Sequence, residues 1–412
     1  FGISDSDDWG EYCELIDGNK SIITEGDAGT GKSEIIKNLD GLYNLCKCAF
    51  TNKACNKIGG KTYHNETKIG LDKVITKQMI DRLKKKNYDA IVAEEFSMNC
   101  GWIWRLLSVL KKELNIPILA FGDWKQLPPV KDDGNYQNHL LVNNLFDYKT
   151  TLTKNHRADE KLAELFNKYA TNMDEFPLEQ LTLKKKLRYV NICYTNKMRK
   201  WVNSCCSKKF NKDKKAFHIY KTTEKDEKDN AYDNDVYCED ENPTQDISVA
   251  IGTPMICRRT KSDKENEDKP FYYNNEVFTI SNISSQVIPL DIQIKSKYTN
   301  EELMKALKTK DRQSKDKLVE NFIKTKKPKQ DKTPMFMVEL KSVDRAKEEV
   351  VVNIPLDDLQ KIFLVAFCIT THKAQGDTIK EPYNIFEWSK MDNALKYTAM
   401  SRSIALDKVC VM

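Results

Sequence analysis

Eight residues, GDAGTGKS at 26–33, have the types and spacing that bind the phosphates of a nucleotide. In this G-x4-G-K-[ST] pattern the glycines let backbone amides curl around phosphate oxygens, and a following helix N-terminus adds donors and a favourable dipole. The apolar run SIIT precedes the pattern and a helical pattern at 34–45 follows it. We therefore predict a phosphate loop in which Lys32 reaches the β and γ phosphates and Ser33 ligates Mg²⁺. The residues predicted to hold the nucleotide are Gly26, Asp27, Ala28, Gly29, Thr30, Gly31, Lys32 and Ser33.

Two adjacent carboxylates, Glu94 and Glu95, stand directly after the apolar run AIVA at 90–93. Like charges on neighbouring residues repel, so we expect either a shared cation or separate tasks. We predict that Glu94 holds Mg²⁺ through water and that Glu95 orients or deprotonates the attacking water. The alternative is a pair of solvated surface glutamates, which would not require the preceding strand.

A third polar group, Gln126, follows the apolar strand PILAF within the sequence FGDWKQLPPV at 121–130. Its side chain is uncharged and carries both a donor and an acceptor. We predict that Gln126 senses whether a γ-phosphate is present.

The pattern of the first 150 residues indicates the elements that position these side chains. Short apolar runs alternate there with amphipathic stretches, which indicates a parallel sheet with crossover helices. A helix is predicted at 160–170, and the runs at 189–196 and 363–370 are predicted strands of a second sheet. Alternating segments at 247–294 and 335–356 indicate a β-rich insert. Residues 221–245 are expected to form an exposed or disordered segment. Residues 301–329 are predicted to form a lysine-rich helical stretch, favoured as a solvated face over a nucleic-acid contact.

Composition sets broad limits on the protein. The 412 residues are enough for two or three domains, and no apolar run approaches the roughly 20 residues of a membrane-spanning helix. No signal peptide is visible, and the chain opens without Met, as a fragment of a longer protein would. The twelve cysteines contain no CxxC zinc spacing and are expected to be free intracellular thiols. The net charge of +6 permits a nucleic-acid partner without requiring one.

Taken together, the phosphate loop, EEFSM at 94–98 and GDWKQLPPV at 122–130 resemble motifs I, II and III of superfamily 1 helicases. The strongest resemblance is to the B-type branch that includes RecD, phage Dda and the Pif family. Five further stretches resemble later elements of that family in the same order, so the resemblance extends from residue 21 to about residue 410. They are AFTNKACNKIGGKTYHN at 49–65, LTKNHRA at 152–158, CYTNKMRKWVN at 193–203, CITTHKAQGDTI at 368–379 and KYTAMSRS at 396–403.

The resemblance implies an α/β fold with two RecA-like parallel-sheet domains and a small SH3-like β-rich insert in the second. The implied boundaries are 1–150 for the first domain, 151–246 with 361–412 for the second, and 247–360 for the insert with its lysine-rich excursion. It also implies a DNA helicase that hydrolyses ATP between the domains, uses Mg²⁺ and moves 5′ to 3′ on single-stranded DNA. By the same resemblance Arg157 and Arg402 are arginine fingers and Gly376 contacts the nucleotide. The implied nucleic-acid contacts are Thr51, Thr62, His64, Asn196, Thr370, His372 and Lys373.

Partners and location follow from the same resemblance. Single-stranded DNA and duplex junctions are the expected partners, and a monomer acting in DNA replication or repair inside the cell, away from membranes, is expected. The lysine-rich stretch is a candidate contact for DNA or a protein. Because both arginines are distant in sequence from the phosphate loop, we expect them to reach it only when the two sheets close on the nucleotide.

The chain departs from the family pattern at three places. Glu94 stands where the family usually has Asp, residues 1–25 contain no Gln to read adenine, and the strand-separating wedge at 65–89 is short. Two alternatives stay open: a superfamily 1 RNA helicase, which shares motifs I to III, and an ATP-regulated module that remodels nucleic-acid complexes without unwinding, for which the short wedge speaks.

Overall fold

The structure is a computed structural model, and it describes residues 3–70, 72–129, 132, 134–219, 246–262, 270–286, 335–345 and 348–412. The predicted segments at 221–245 and 301–329 lie outside these residues. No helix among the described ones is long and apolar enough to cross a membrane. The eleven described cysteines are all free thiols.

The first lobe is a six-stranded sheet in which every strand pairs in parallel. Its strands are β1 (Ile22–Gly26), β2 (Leu45–Ala49), β3 (Lys61–Thr62), β4 (Ala90–Glu94), β5 (Ile118–Gly122) and β6 (Tyr148–Leu152). Their order across the sheet is β3-β2-β4-β5-β1-β6. The helices of this lobe are α1 (Gly10–Asp17), α2 (Lys32–Asp40), α3 (Asn52–Lys57), α4 (Tyr63–Thr67), α5 (Lys77–Lys84), α6 (Gly101–Leu114) and α7 (Leu140–Asn143).

The central strand β4 explains why the sequence reads as an unbroken apolar run. Successive side chains of a strand point to opposite faces, and both faces of this sheet are covered by helices. Ala90 and Val92 pack in the core that includes α2, whereas Ile91 and Ala93 pack in the core that includes α6. Glu94 continues this alternation and therefore points to the side of α2.

The second lobe is a four-stranded parallel sheet. Its strands are β7 (Asn191–Cys193), β17 (Cys368–Thr370), β18 (Tyr383–Ile385) and β19 (Val409–Val411), in the order β17-β7-β18-β19. Its helices are α8 (Glu160–Tyr169), α9 (Asn196–Phe210), α11 (Thr371–Ala374) and α12 (Asn393–Met400). The predicted helix at 160–170 is therefore present as α8, whose Leu162 and Phe166 pack in the core of this lobe.

The insert sheet is antiparallel and has five strands. They are β10 (Pro254–Cys257), β13 (Val277–Gln286), β14 (Met335–Ser342), β15 (Val351–Pro355) and β16 (Phe363–Val365), in the order β15-β14-β13-β10-β16, and the short helix α10 (Leu359–Ile362) precedes β16. Two ribbons flank it, β8 (Phe217–Ile219) with β9 (Ile247–Val249) and β11 (Lys261–Ser262) with β12 (Pro270–Tyr272). The β-rich character agrees with the sequence, while the SH3-like designation and the domain boundaries stay predictions.

The apolar run at 363–370 differs from the single strand that was predicted. Its first part is β16, antiparallel to β10 in the insert sheet, and its last part is β17, parallel to β7 in the second lobe. Between them Phe367 packs against Tyr189 and Phe210, with ring centroids 5.6 and 5.2 Å away. A continuous apolar sequence cannot show this division, because it does not indicate which strand each half pairs with.

Candidate active site

The phosphate loop connects β1 to α2 and is shaped by two glycines with positive φ, Gly29 at 95° and Gly31 at 83°. Residues with a Cβ rarely adopt this backbone. The neighbouring segment leaves little room, since a Cβ on Gly29 would lie 2.6 Å from the Cβ of Arg157. The Lys32 ammonium donates to the carbonyls of Gly26 and Asp27, 2.6 and 2.8 Å away. The loop thus turns the lysine inward, toward the space that its backbone encloses.

Glu94 and Glu95 lie in different surroundings although they are adjacent. Glu94 is buried at the end of β4, and its Oε1 accepts a hydrogen bond of 3.0 Å from the Ser33 hydroxyl. Burial raises the pKa of Glu94 to about 7, although the Lys32 ammonium acts in the opposite direction. Glu95 has a φ of 52°, in the left-handed region that non-glycine residues seldom occupy. This backbone reversal takes Glu95 out of the strand alternation, so the two carboxylates face different partners.

The Ser33 and Glu94 pair fits a Mg²⁺ ion. The second carboxylate oxygen of Glu94 is buried and has no hydrogen-bond partner among the described residues. A buried carboxylate oxygen is costly unless a donor or a cation meets it. Mg²⁺ typically takes one or two protein oxygens and completes its shell with waters and phosphate oxygens. No group of three or more His, Cys, Asp or Glu in the described chain forms a fuller metal site.

Asp123 and Tyr397 join the third motif to the second lobe. The Tyr397 hydroxyl donates to Asp123 over 2.8 Å and also lies 3.5 Å from the backbone N–H of Ala28, which donates to it. Gln126 donates to the same carboxylate over 3.3 Å. Burial raises the pKa of Asp123, with the Lys32 ammonium opposing the effect. Tyr397 thereby contacts the phosphate loop and the Gln126 segment at once.

The two predicted arginine fingers approach from different elements. Arg157 belongs to a segment bonded to the phosphate loop, because Asn155 donates to the Ala28 carbonyl over 2.9 Å and the His156 amide donates to the Gly29 carbonyl over 2.8 Å. Arg402 follows α12 in the second lobe, and its Nε and Nη2 donate to the Thr398 carbonyl and the Ser401 hydroxyl. Burial, with the charge of Arg402 nearby, lowers the pKa of Arg157 to about 10.

This arrangement differs from the expectation that closure must bring in both arginines. Arg157 is already held at the phosphate loop by the hydrogen bonds of its own segment. Only the position of Arg402 therefore depends on how the second lobe is placed.

These groups surround one cavity of about 240 Å³ at the carboxyl ends of β1, β4 and β5. Parallel strands present their carboxyl ends at one edge, which is where such folds bind ligands. Gly376, from the second lobe, also lines the cavity, as do Lys57, Asp123 and His156, which the sequence did not single out. The predicted residues that meet there are Ala28, Gly29, Gly31, Lys32, Ser33, Glu94, Glu95, Gln126, Arg157, Gly376 and Arg402.

The predicted nucleic-acid contacts of the first lobe lie at helix starts that follow its strands. The Thr51 hydroxyl caps α3 by accepting from the Ala54 amide, and the Thr62 hydroxyl caps α4 by accepting from the Asn65 amide, both over 3.2 Å. His64 is exposed on α4, and its ring lies 4.8 Å from that of Trp102. Partial desolvation of the ring lowers the pKa of His64, and the Lys73 ammonium adds to the effect.

Residues of the second lobe occupy the matching positions. Thr370 precedes α11, which contains His372 and Lys373, and Asn196 begins α9. Burial lowers the pKa of His372, and the Lys373 ammonium donates to the Asn275 side chain over 2.8 Å. In both lobes, a strand of the parallel sheet is therefore followed by a helix whose N-cap residue is a threonine.

Two neighbours of these residues were missed by the sequence reading. Thr195 caps α9, and its amide and hydroxyl donate to Glu387 over 2.8 and 3.0 Å. Trp102 was missed because its contact with His64 crosses between two helices. The hydroxyl of Thr195 beside the quoted Asn196 was a usable signal, since Ser and Thr are favoured helix caps.

Fold and site together define a phosphate-loop protein in which two parallel sheets meet at one cavity. The profile of the AAA domain family matches residues 14–132. The ATP-dependent DNA helicase PIF1 of Saccharomyces cerevisiae is 31% identical over 145 residues, which cover 30% of this chain and 17% of the yeast protein. The ATP-dependent DNA helicase Pif1 of Campylobacter jejuni is 25% identical over 95% of this chain and 89% of that protein.

A solved structure shows the same fold. The crystal structure of Bacteroides Pif1 bound to single-stranded DNA superposes with a TM-score of 0.60 at 17% identity, covering 98% of this chain and 91% of that one. These similarities confirm the predicted resemblance to the Pif-like, B-type branch of superfamily 1 and the α/β fold with RecA-like domains.

Proposed function

We propose that the protein is an ATP-dependent DNA helicase that moves 5′ to 3′ on single-stranded DNA. The observation that carries this proposal is the cavity in which the phosphate-loop lysine, two differently placed glutamates and arginines from two elements meet. The similar proteins of yeast and Campylobacter are named as ATP-dependent DNA helicases, and the Bacteroides structure has single-stranded DNA bound.

Hydrolysis follows from the placement of the side chains. Glu95 accepts a proton from the attacking water, whose oxygen forms a bond to the γ-phosphorus while the bond to the leaving ADP oxygen breaks. Lys32, Arg157 and Arg402 stabilise the charge that develops on the phosphoryl oxygens. Ser33 and Glu94 would hold Mg²⁺, which supplies further neutralisation of phosphate charge when bound.

Movement follows from the cavity lying between two lobes. Arg402 and Gly376 belong to the second lobe, and their distance from a γ-phosphate depends on how the lobes are arranged. The helix starts at Thr51, Thr62 and Thr370 offer hydroxyls and amides to the phosphates of a strand. Closing and opening of the lobes would then draw the strand along.

Strand displacement on tailed duplexes tests this proposal. We expect ATP-dependent unwinding of a DNA duplex with a 5′ tail and little unwinding with a 3′ tail. Faster unwinding of a matched RNA duplex would favour the RNA helicase alternative. DNA-stimulated hydrolysis without unwinding of either duplex would favour the remodelling module.

A further inference from the structure

Helix α3 carries two lysines that both reach the second lobe. Lys53 and Lys57 are four residues apart and therefore lie on the same helix face. The Lys53 ammonium pairs with the Asp377 carboxylate, and this lysine is only 8% exposed. The Lys57 ammonium donates a hydrogen bond to the Gly376 carbonyl. Helix α3 is thus bound to two consecutive residues of the opposite lobe.

Gly376 brings Lys57 close to the catalytic glutamate. With a φ of 82°, Gly376 adopts a backbone that favours glycine. A Cβ built there would lie 3.2 Å from Glu95 Oε1 and 3.5 Å from the Lys57 ammonium nitrogen. The ammonium and the carboxylate therefore converge on one residue, and both line the cavity with Arg157 and Arg402.

The other end of α3 faces the predicted nucleic-acid path. Thr51 caps its first turn, and α3 has six residues, a length of about 9 Å at 1.5 Å per residue. A helix this short and hydrogen-bonded moves as a unit. A displacement at Thr51 therefore also displaces Lys57.

We propose that Lys57 is a positioning residue. When nucleic acid binds at the start of α3, Lys57 fixes the position of Gly376 and thereby the position of the neighbouring Glu95 carboxylate. The proposal rests on the proposed helicase function. In this proposal Lys57 is the residue through which DNA stimulates hydrolysis. When α3 shifts, the Lys57 ammonium moves the Gly376 segment to the position in which the Glu95 carboxylate contacts the attacking water.

The test is the ATPase of Lys57→Met with and without saturating oligo-dT. We expect the DNA-stimulated kcat to fall by about tenfold or more and the stimulation ratio to fall with it. The KM for ATP and the Kd for oligo-dT should change by no more than about threefold, because the affected interaction acts on the chemical step. Lys57→Arg keeps the charge and the donors and should recover most of the stimulated rate.

Lys149→Met provides the matched control. It removes the same charge in the same lobe, from the exposed end of a pair that Lys149 makes with Glu25 over 2.5 Å, and should behave as wild type. If Lys57→Met does not fold, Lys57→Gln keeps a donor without the charge and should show the same loss.

The outcomes separate the two proposals. A wild-type ATPase that oligo-dT does not stimulate would overturn the proposed function. Normal stimulation in wild type, together with an unchanged stimulated kcat in Lys57→Met or Lys57→Gln, would overturn only the role of Lys57. A loss confined to the KM or the oligo-dT Kd would do the same, because it would make Lys57 a binding contact.

Discussion

The two adjacent glutamates differ because one continues the strand and the other leaves it. Glu95→Gln should lower kcat by about 100-fold or more, since an amide cannot act as the base, while nucleotide binding persists. Glu94→Ala should instead raise the Mg²⁺ concentration needed for half-maximal rate, because Ser33 would lose its carboxylate partner. Titrating Mg²⁺ in an ATPase assay, with nucleotide binding measured by fluorescence, distinguishes the two. Equal Mg²⁺ midpoints for wild type and Glu94→Ala would refute the cation role.

His64 offers a second prediction at this scale. If its ring stacks on a base, His64→Ala should weaken single-stranded DNA binding by about 1 to 3 kcal/mol at fixed salt. Because its lowered pKa keeps the ring neutral above about pH 7, the loss should be the same at about pH 7 and about pH 8. His218→Ala, which alters an exposed histidine of β8, should bind normally. An unchanged Kd for His64→Ala would leave His64 as a surface residue packed on Trp102.

At the scale of elements, the start of α9 depends on one hydroxyl. Thr195→Ala removes the cap of the Met198 amide and the hydroxyl bond to Glu387. We expect a loss of about 1 to 2 kcal/mol in the free energy of unfolding, measured with urea. Thr182→Ala, in an exposed loop, should stay within about 0.5 kcal/mol of wild type. A loss equal to that of Thr182→Ala would show that water replaces both bonds without cost.

Most strands of the first lobe could be predicted, because strands buried on both faces read as unbroken apolar runs. The strand β4 is the clearest case, since all five of its residues are buried. Strand β3 has only two residues and β6 includes exposed positions, so neither carries that signal. The division of 363–370 between two sheets depends on pairing with β10 and β7, which the run itself does not encode.

The candidate site was predictable where a motif places its chemistry within one loop. The phosphate loop and the glutamate pair are such cases. Tyr397 and Lys57 could not be predicted, although both lie inside quoted motifs. Their partners are Asp123 and Gly376, 274 and 319 residues away in the chain, and only the packed lobes bring them together.

At the scale of the whole molecule, Arg402 is the second-lobe arginine that lines the cavity. Arg157→Ala and Arg402→Ala should each lower kcat by about 1,000-fold with much smaller changes in nucleotide affinity, as arginine fingers act on transition-state charge. Arg402→Lys should recover little, because one ammonium cannot reproduce the guanidinium fork. Arg105→Ala, on the exposed side of α6, is the control and should keep full activity. Losses confined to affinity would make both arginines ordinary binding contacts.

The passage from β16 to β17 limits how far the insert sheet can travel. Val365 ends one sheet and Cys368 begins the other. Three residue steps of extended chain span at most about 10 Å, so this link is a short tether. Pulling on the insert sheet would load β17 and the start of α11 through this link, and α9 through the core that the insert and the second lobe share. A partner bound to the insert sheet would therefore exert force on the predicted nucleic-acid contact at Thr370 without contacting the nucleotide.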